Sequence, residues 1–416
     1  MKLEEGIDLH LIESDKFTTN QIKIRFAAPY KKETITSRVL LANLLEIANS
    51  KYPTNLALRR QLVNLCGSHF STNVLRIGQV HIVELQFSYI SDKFLTQSTD
   101  LTNESLIFLR QVLFEPLVDR FGFEKKFFEI EKKNLIAYLE SEIEDNAYHA
   151  EVASNELYYQ TDDLRIPRIG TLEDAKNLTR ESVYKSLQDM LQLDKIDIIF
   201  QGSVNQNQLV KKLKEFPFRY RNPKLEFLYQ QEKSNIVKEQ SERKIANQSI
   251  VELSYQVDIV YGDTDYIALL ILNGLLGAYA HSRLFVNLRE KEGLAYTINS
   301  QLDNFTGKLT IHAGIDKENK LRTIKGIRQE ISELKKGNFT DLELSLVKKS
   351  LRHQVALSED RPAQIMEEMY HKSVFKEKYV SKEAFFNGLN EVQREDIVAI
   401  FEKITLQSIY FLEGIE

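Results

Sequence analysis

The residues able to ligate a metal or to move protons and acyl groups are few enough in this sequence to weigh one at a time. Eight histidines are present, His10, His69, His81, His149, His281, His312, His353 and His371, and none forms HxH or HxxxH with another. Two imidazoles four apart on a helix share a face and can hold zinc, so that pattern is missing. Glu367 and His371 stand four apart with Glu368 between them, a spacing that reads as a contact along a helix surface. His69, in a turn beside Gly67 and Ser68, is the histidine best placed for a polar cleft. The one cysteine, Cys66, follows an apolar helix in NLCGS and reads as a small buried hydrophobe. It can make neither an internal disulfide nor a cysteine-based metal centre, which fits a reducing, cytoplasmic setting. No GxSxG elbow exists, and the 16 glycines form neither GxxxxGKS/T nor GxGxxG, which removes the usual serine-nucleophile and nucleotide readings.

The elements that would carry these residues come twice. Gln21 to Ala27 alternates as a strand, Ser37 to Ser50 reads as an apolar helix, Leu58 to Leu65 as a second helix, and His81 to Tyr89 as another strand. The same order returns with a strand at Val251 to Ile259, an apolar helix at Tyr266 to Ala280, the segment Arg283 to Leu288, and a strand at Lys308 to Ala313. Arg60-Gln-Leu-Val-Asn-Leu65 matches Arg283-Leu-Phe-Val-Asn-Leu288 at an offset of 283 − 60 = 223 residues. Mixed-charge helices follow in each half, Glu124 to Glu144 and Asp341 to Ser358, and closing strands lie at Asp194 to Val204 and Ser408 to Leu412. The stretch from Pro217 to Gln248 is polar and reads as an exposed connection. The expected organisation is α+β, with two tandem related domains over residues 1–215 and 248–416 and a linker over 216–247, each domain a mostly antiparallel sheet packed against helices.

Length and charge agree. A chain of 416 residues, 43% hydrophobic and 28% charged, is long enough for two globular domains. Its 55 Lys and Arg against 60 Asp and Glu leave a net charge of −5 and a pI near 6.0, which argues against a nucleic-acid partner. The first residues, MKLEEGIDLHLIESDKF, show acids where an export signal has a basic start and an apolar run. The most apolar stretch, Tyr266 to Ala280, is too short to span a bilayer, so no membrane partner is expected.

The segment Ser282-Arg-Leu-Phe-Val-Asn-Leu-Arg-Glu-Lys-Glu-Gly-Leu-Ala-Tyr296 resembles the second-domain signature, RLF followed by LRxKxGLxY, of the zinc peptidases of the insulinase, pitrilysin and mitochondrial processing peptidase type. The resemblance extends over almost the whole chain and implies their metallopeptidase-like fold. It places Arg289 and Tyr296 at the arginine and tyrosine that help active members hold substrate. A guanidinium and a phenol suit that role, because both donate strong hydrogen bonds to a peptide carbonyl and to the oxyanion that forms on it.

The family's metal centre is HxxEH on the first apolar helix, with two histidine ligands and a glutamate general base. Here the matching helix reads Asn43-Leu44-Leu45-Glu46-Ile47. Glu46 remains, while Asn43 and Ile47 replace both imidazoles. The resemblance puts the third ligand, a glutamate, at about Glu131, with Glu129 and Glu124 a turn or two away. Two carboxylates without imidazoles are a poor zinc site. The expectation is therefore no metal, no cofactor and no catalytic residue, with Glu46 and Glu131 as polar relics. The resemblance implies a peptide-binding subunit paired with an HxxEH-containing homologue, a homodimer remaining open. A purely scaffolding subunit, like the peptidase-like core subunits of the respiratory cytochrome complex, is the alternative. A narrower likeness, to the bacterial YmfF-like group, points to elongation factor P modification. The glycine-rich loop of the non-catalytic processing-peptidase subunit is lacking, with only Gly274 and Gly277 near its place.

Overall fold

Alternation decides the first sheet. In Gln21 to Ala27, Ile22, Ile24 and Phe26 fall on one face and Lys23 and Arg25 on the other, since successive side chains of a strand point to opposite sides. In the computed structural model, which describes residues 1–95 and 100–415, this segment is the centre of strand β3 (Thr19–Pro29). The other strands are β1 (Lys2–Glu4), β2 (Ile7–Glu13), β4 (His69–Ile77), β5 (Val80–Ile90), a short hairpin of β6 (Val118–Asp119) and β7 (Gly122–Phe123), and β8 (Lys195–Gly202). The main sheet runs β1-β2-β8-β3-β5-β4, with β2 and β8 parallel and all other pairings antiparallel. Helices α1 (Lys32–Ile47), α2 (Asn55–Asn64) and α4 (Lys125–Glu144) follow the expected order, and a further helix, α3 (Leu101–Phe114), lies between β5 and β6. α1 packs on β4, β5 and the helix Arg180–Leu193.

The second sheet is built from β9 (Lys238–Ile245), β10 (Ser249–Val257), β11 (Thr297–Asp303), β12 (Lys308–Ile315) and β13 (Ile404–Ile415), in the order β11-β12-β10-β13-β9. Only β9 and β13 are parallel. This is the α+β architecture of two related domains. The apolar helix from Tyr266 is α-helical to Asn273 and continues as a π-helical turn over Gly274–Ala278; Leu284–Lys291 is also π-helical.

The chain divides into two units, and neither is continuous in sequence. The first comprises Met1–Ser141, Ile166–Glu226 and Pro362–Val374; the second comprises Glu142–Arg165, Phe227–Arg361 and Phe375–Glu416. The main change of unit, at Glu226 to Phe227, falls inside 216–247, but two helical segments cross over, which a single cut does not describe. The 216–247 segment also differs from a plain linker, because Lys238–Ile245 forms a strand on β13. Its charged sequence suits an unpaired sheet edge, where charge discourages further pairing.

Each crossing helix covers the polar face of a sheet. In the first unit Arg25 is fully buried, its Nε 2.6 Å from Glu84 and Nη1 3.3 Å from Glu367, with Nη2 also on Glu367. The Arg25 guanidinium lies 4.2 Å from the ring centre of Tyr370. Glu367 and His371 do touch, at 3.4 Å, but on the helix Pro362–Phe375 packed over Arg25 rather than on a free surface. In the second unit α5 (Asn146–Tyr158) plays this part: Ala150 clusters with Ile250, Tyr410 and Leu412, and Ser154 Oγ meets Ser254 Oγ at 3.1 Å.

Breaking a buried ion pair from one side strands a charge, at a cost of about 3–5 kcal/mol. Glu84→Gln should lower the unfolding free energy by about 3 kcal/mol in urea titrations. Burial pushes the Glu367 carboxyl up, but the hydrogen bond to His371 and the Arg25 charge outweigh it and hold the group well below its ordinary 4.5. A carboxyl depressed in the folded state stabilises above its unfolded value and loses that contribution as pH falls. Stability should therefore decline as pH drops below 4.5, and Glu367→Gln should flatten that decline.

Candidate functional site

α1 buries Ile35, Val39, Leu40, Leu41, Leu44 and Leu45, so most of its circumference is core. Asn43, Glu46 and Ile47 stay half-buried, and their i, i+3, i+4 spacing puts them on one face. The side of α1 toward the sheet is held by Arg38. Its Nη1 donates to Asp194 at 2.7 Å, its Nη2 to the Phe26 carbonyl at 3.0 Å, and its Nε to His81 Nδ1 at 3.1 Å. Because Nδ1 accepts, His81 is the neutral tautomer, and Nε2–H donates to the Arg168 carbonyl at 3.1 Å. Burial, reinforced by the Arg38 charge, lowers the imidazole to about 3. Burial likewise pushes the Asp194 carboxyl up, against the pull of Arg38.

Glu46, the residue at the general-base position, faces the edge strand β4. Its Oε2 accepts from Thr72 N at 3.0 Å and Thr72 Oγ1 at 3.2 Å, and its Oε1 is 3.3 Å from Arg59 Nη2. Thr72 Oγ1 also reaches the Ala42 carbonyl at 2.8 Å, tying α1 to β4. Glu131 on α4 comes near enough to sense Glu46. Its carboxyl is pushed up chiefly by burial, with the Glu46 charge adding to the effect and a hydrogen bond from Asn134 at 3.1 Å opposing it. The alternatives separate here: Glu124 accepts from Phe127 N at 3.0 Å at the start of α4, and Glu129 is exposed.

A pocket of about 390 Å³ opens on this face of α1, lined by Asn43, Thr72, Asn73, Asn134, Tyr138 and Arg168 among others. Its chemistry does not suit zinc. An amide stands for one imidazole, an isoleucine for the other, and Glu46 is engaged with Thr72 and Arg59. Among the described residues no group of three His, Cys, Asp or Glu is gathered so as to hold a metal.

Two readings of single residues change. Cys66 is exposed rather than buried, because the backbone after α2 turns through a positive φ of 57° and lifts it out of the apolar register. His69 is exposed at the first residue of β4 and does not line the pocket. Sequence reasoning missed Thr72, Arg38, His81 and Arg168; His81 opens an alternating strand, and that alternation was the only local hint.

In the second unit the signature splits by direction. Arg283 and Asn287 turn onto Glu330, with Arg283 Nε at 2.7 Å and Asn287 Nδ2 at 2.9 Å. Arg289 and Tyr296 are exposed instead. The Arg289 guanidinium lies 4.5 Å from the Phe285 ring centre, and Tyr296 Oη donates to Asp316 at 3.0 Å. Positive φ at Gly293, 62°, makes the turn between them.

Comparison with known proteins agrees with this geometry. Residues 177–351 match the family model described as the peptidase M16 inactive domain. The chain is 27% identical over 413 residues to the probable inactive metalloprotease YmfF of Bacillus subtilis, covering 99% of this chain and 96% of that one. It superposes on the crystal structure of a conserved protein from Enterococcus faecalis V583 with a TM-score of 0.97 at 34% identity, over 100% and 98% of the two chains. A peptidase M16 inactive domain from Pseudomonas fluorescens shares the fold, with a TM-score of 0.79 at 17% identity over 99% and 97%. The chain belongs to the M16 peptidase family, as an inactive homologue. Among the described residues no helix is long and apolar enough to cross a membrane.

If Glu131 holds the third-ligand position, Asn43→His with Ile47→His should create a zinc site, read as about one zinc per chain by metal analysis, and Glu131→Gln in that background should weaken it at least tenfold. Zinc uptake indifferent to Glu131 would move the assignment to another residue.

Proposed function

We propose that this chain is the non-catalytic, peptide-binding subunit of a heteromeric peptidase whose partner supplies HxxEH. The observation that carries the proposal is the converted face of α1. The general-base glutamate is bound to the backbone and side chain of Thr72, both ligand imidazoles are gone, and a polar pocket remains beside them. Such a site cannot activate water on a metal, yet it keeps the donors and acceptors that a peptide backbone needs. Arg289 and Tyr296, exposed on the second unit, supply donors toward substrate in the partner's reaction. The resemblance to the YmfF-like group extends the proposal to a cytoplasmic, bacterial setting and to elongation factor P modification. Scaffolding without peptide binding would leave the polar pocket on α1 without a role.

Co-expression with an HxxEH-containing homologue should give a mixed complex of the summed size, and that complex should cleave peptides that neither chain cleaves alone. Arg289→Ala with Tyr296→Phe should lower kcat/KM of the complex about tenfold or more, with the complex still formed. Unchanged kinetics would reduce these residues to relics, and failure to associate would favour a scaffold or homodimer.

A further inference from the structure

The pocket on α1 is electrically polarised along the edge strand β4. At the Thr72 end, just outside the pocket lining, stands the carboxylate of Glu46, bound to Thr72 N and Oγ1. At the Val74 end stands Arg168, exposed, with Nη1 donating to the Val74 carbonyl at 3.2 Å. Two residues of strand separate Thr72 from Val74, roughly 7 Å. Of the six polar liners named above, Arg168 is the one that carries a formal charge.

Arg168 is also held in place to a degree that an ordinary surface arginine is not. Its carbonyl accepts from His81, whose other nitrogen is fixed by Arg38 and, through it, by Asp194. The segment before it is pinned by Tyr30 Oη on the Ile166 carbonyl at 2.8 Å. The segment after it passes Gly170 at φ 85°, where a Cβ would lie 2.1 Å from Thr36 Oγ1, so the chain is pressed against α1. The guanidinium itself is held at the pocket by its bond to the Val74 carbonyl, and a carboxylate is the planar anion that matches its remaining N–H groups.

We propose that this pocket selects peptides carrying an acidic side chain, with the carboxylate bound by Arg168 and the amides of Asn43, Asn73 and Asn134 available to the neighbouring backbone. At the opposite end the Glu46 carboxylate on Thr72 disfavours an acidic side chain, so the peptide's acidic residue is placed toward Arg168. The proposal rests on the peptide-binding reading given above, and it names the substrate class of that same site.

The test uses the full chain, alone and in the mixed complex, and two fluorescein-labelled decapeptides that differ only in one central residue, glutamate or glutamine. Anisotropy titration should show the glutamate peptide bound about tenfold more tightly, the worth of one charge-assisted hydrogen bond at a solvent-facing site. Arg168→Gln should bring the ratio of the two affinities to about one, and Arg168→Lys should restore part of it. Raising the salt concentration should narrow the difference, because the charge is exposed. Equal binding of the two peptides by the unaltered chain, or a preference that survives Arg168→Gln, would overturn the proposal while leaving peptide binding intact. Absence of binding by either peptide, in both the chain and the complex, would overturn the peptide-binding reading as well.

Discussion

The buried guanidinium of Arg38 is the fixed point on which the candidate site depends. It joins α1 to Asp194, to the Phe26 carbonyl and to His81, and so sets which way the remaining face of that helix looks. A charge with nothing around it would be costly at that depth, and the Asp194 carboxylate compensates it. His81 then has a single state open to it, a neutral ring that accepts on Nδ1 and donates on Nε2, and that donation fixes the segment carrying Arg168. One buried cation thus ties α1 to the segment that carries Arg168, which borders the pocket.

The same economy appears on the sheets. Strands with one apolar and one polar face ordinarily turn the polar face to water. Here Lys23, Arg25 and Glu84 are buried because the helix Pro362–Phe375, from far along the chain, lies over them and brings Glu367 to Arg25. In the second unit α5 does the same, with His149 at 3.1 Å from Glu242 and Asn155 accepting from Lys308 at 2.5 Å. Each unit is therefore completed by a helix from the other half of the sequence, which brings charged and hydrogen-bonding side chains onto the sheet's polar face.

Much of this was legible in the sequence because it is local. Apolar periodicity located β3, α1, β5, β10 and β12 to within a few residues, and the recurrence of RQLVNL as RLFVNL announced the second domain. The polar face of Gln21 to Ala27 could be read, but not its burial, since alternation says which face is polar and nothing of what covers it. Glu367 and His371 looked like a surface pair for that reason. At the site, the resemblance to the zinc peptidases puts Asn43 and Ile47 where that family has its two histidines. That Glu46 is bound to Thr72, and that Arg168 stands at the pocket's other end, depends on contacts 26 and 94 residues apart, which no spacing along the chain encodes.

The central claim is that a peptide occupies the converted face of α1, along β4, in a complex with a catalytic relative. It is tested most directly by photo-crosslinking: a peptide bearing a photoreactive residue, irradiated in the mixed complex, followed by mapping of the attachment sites by mass spectrometry. The account predicts crosslinks on this chain at Asn43, on β4 around Thr72 to Val74, and on α4 around Asn134 to Tyr138. Crosslinks confined to the catalytic partner, or scattered over this chain away from that pocket, would contradict it.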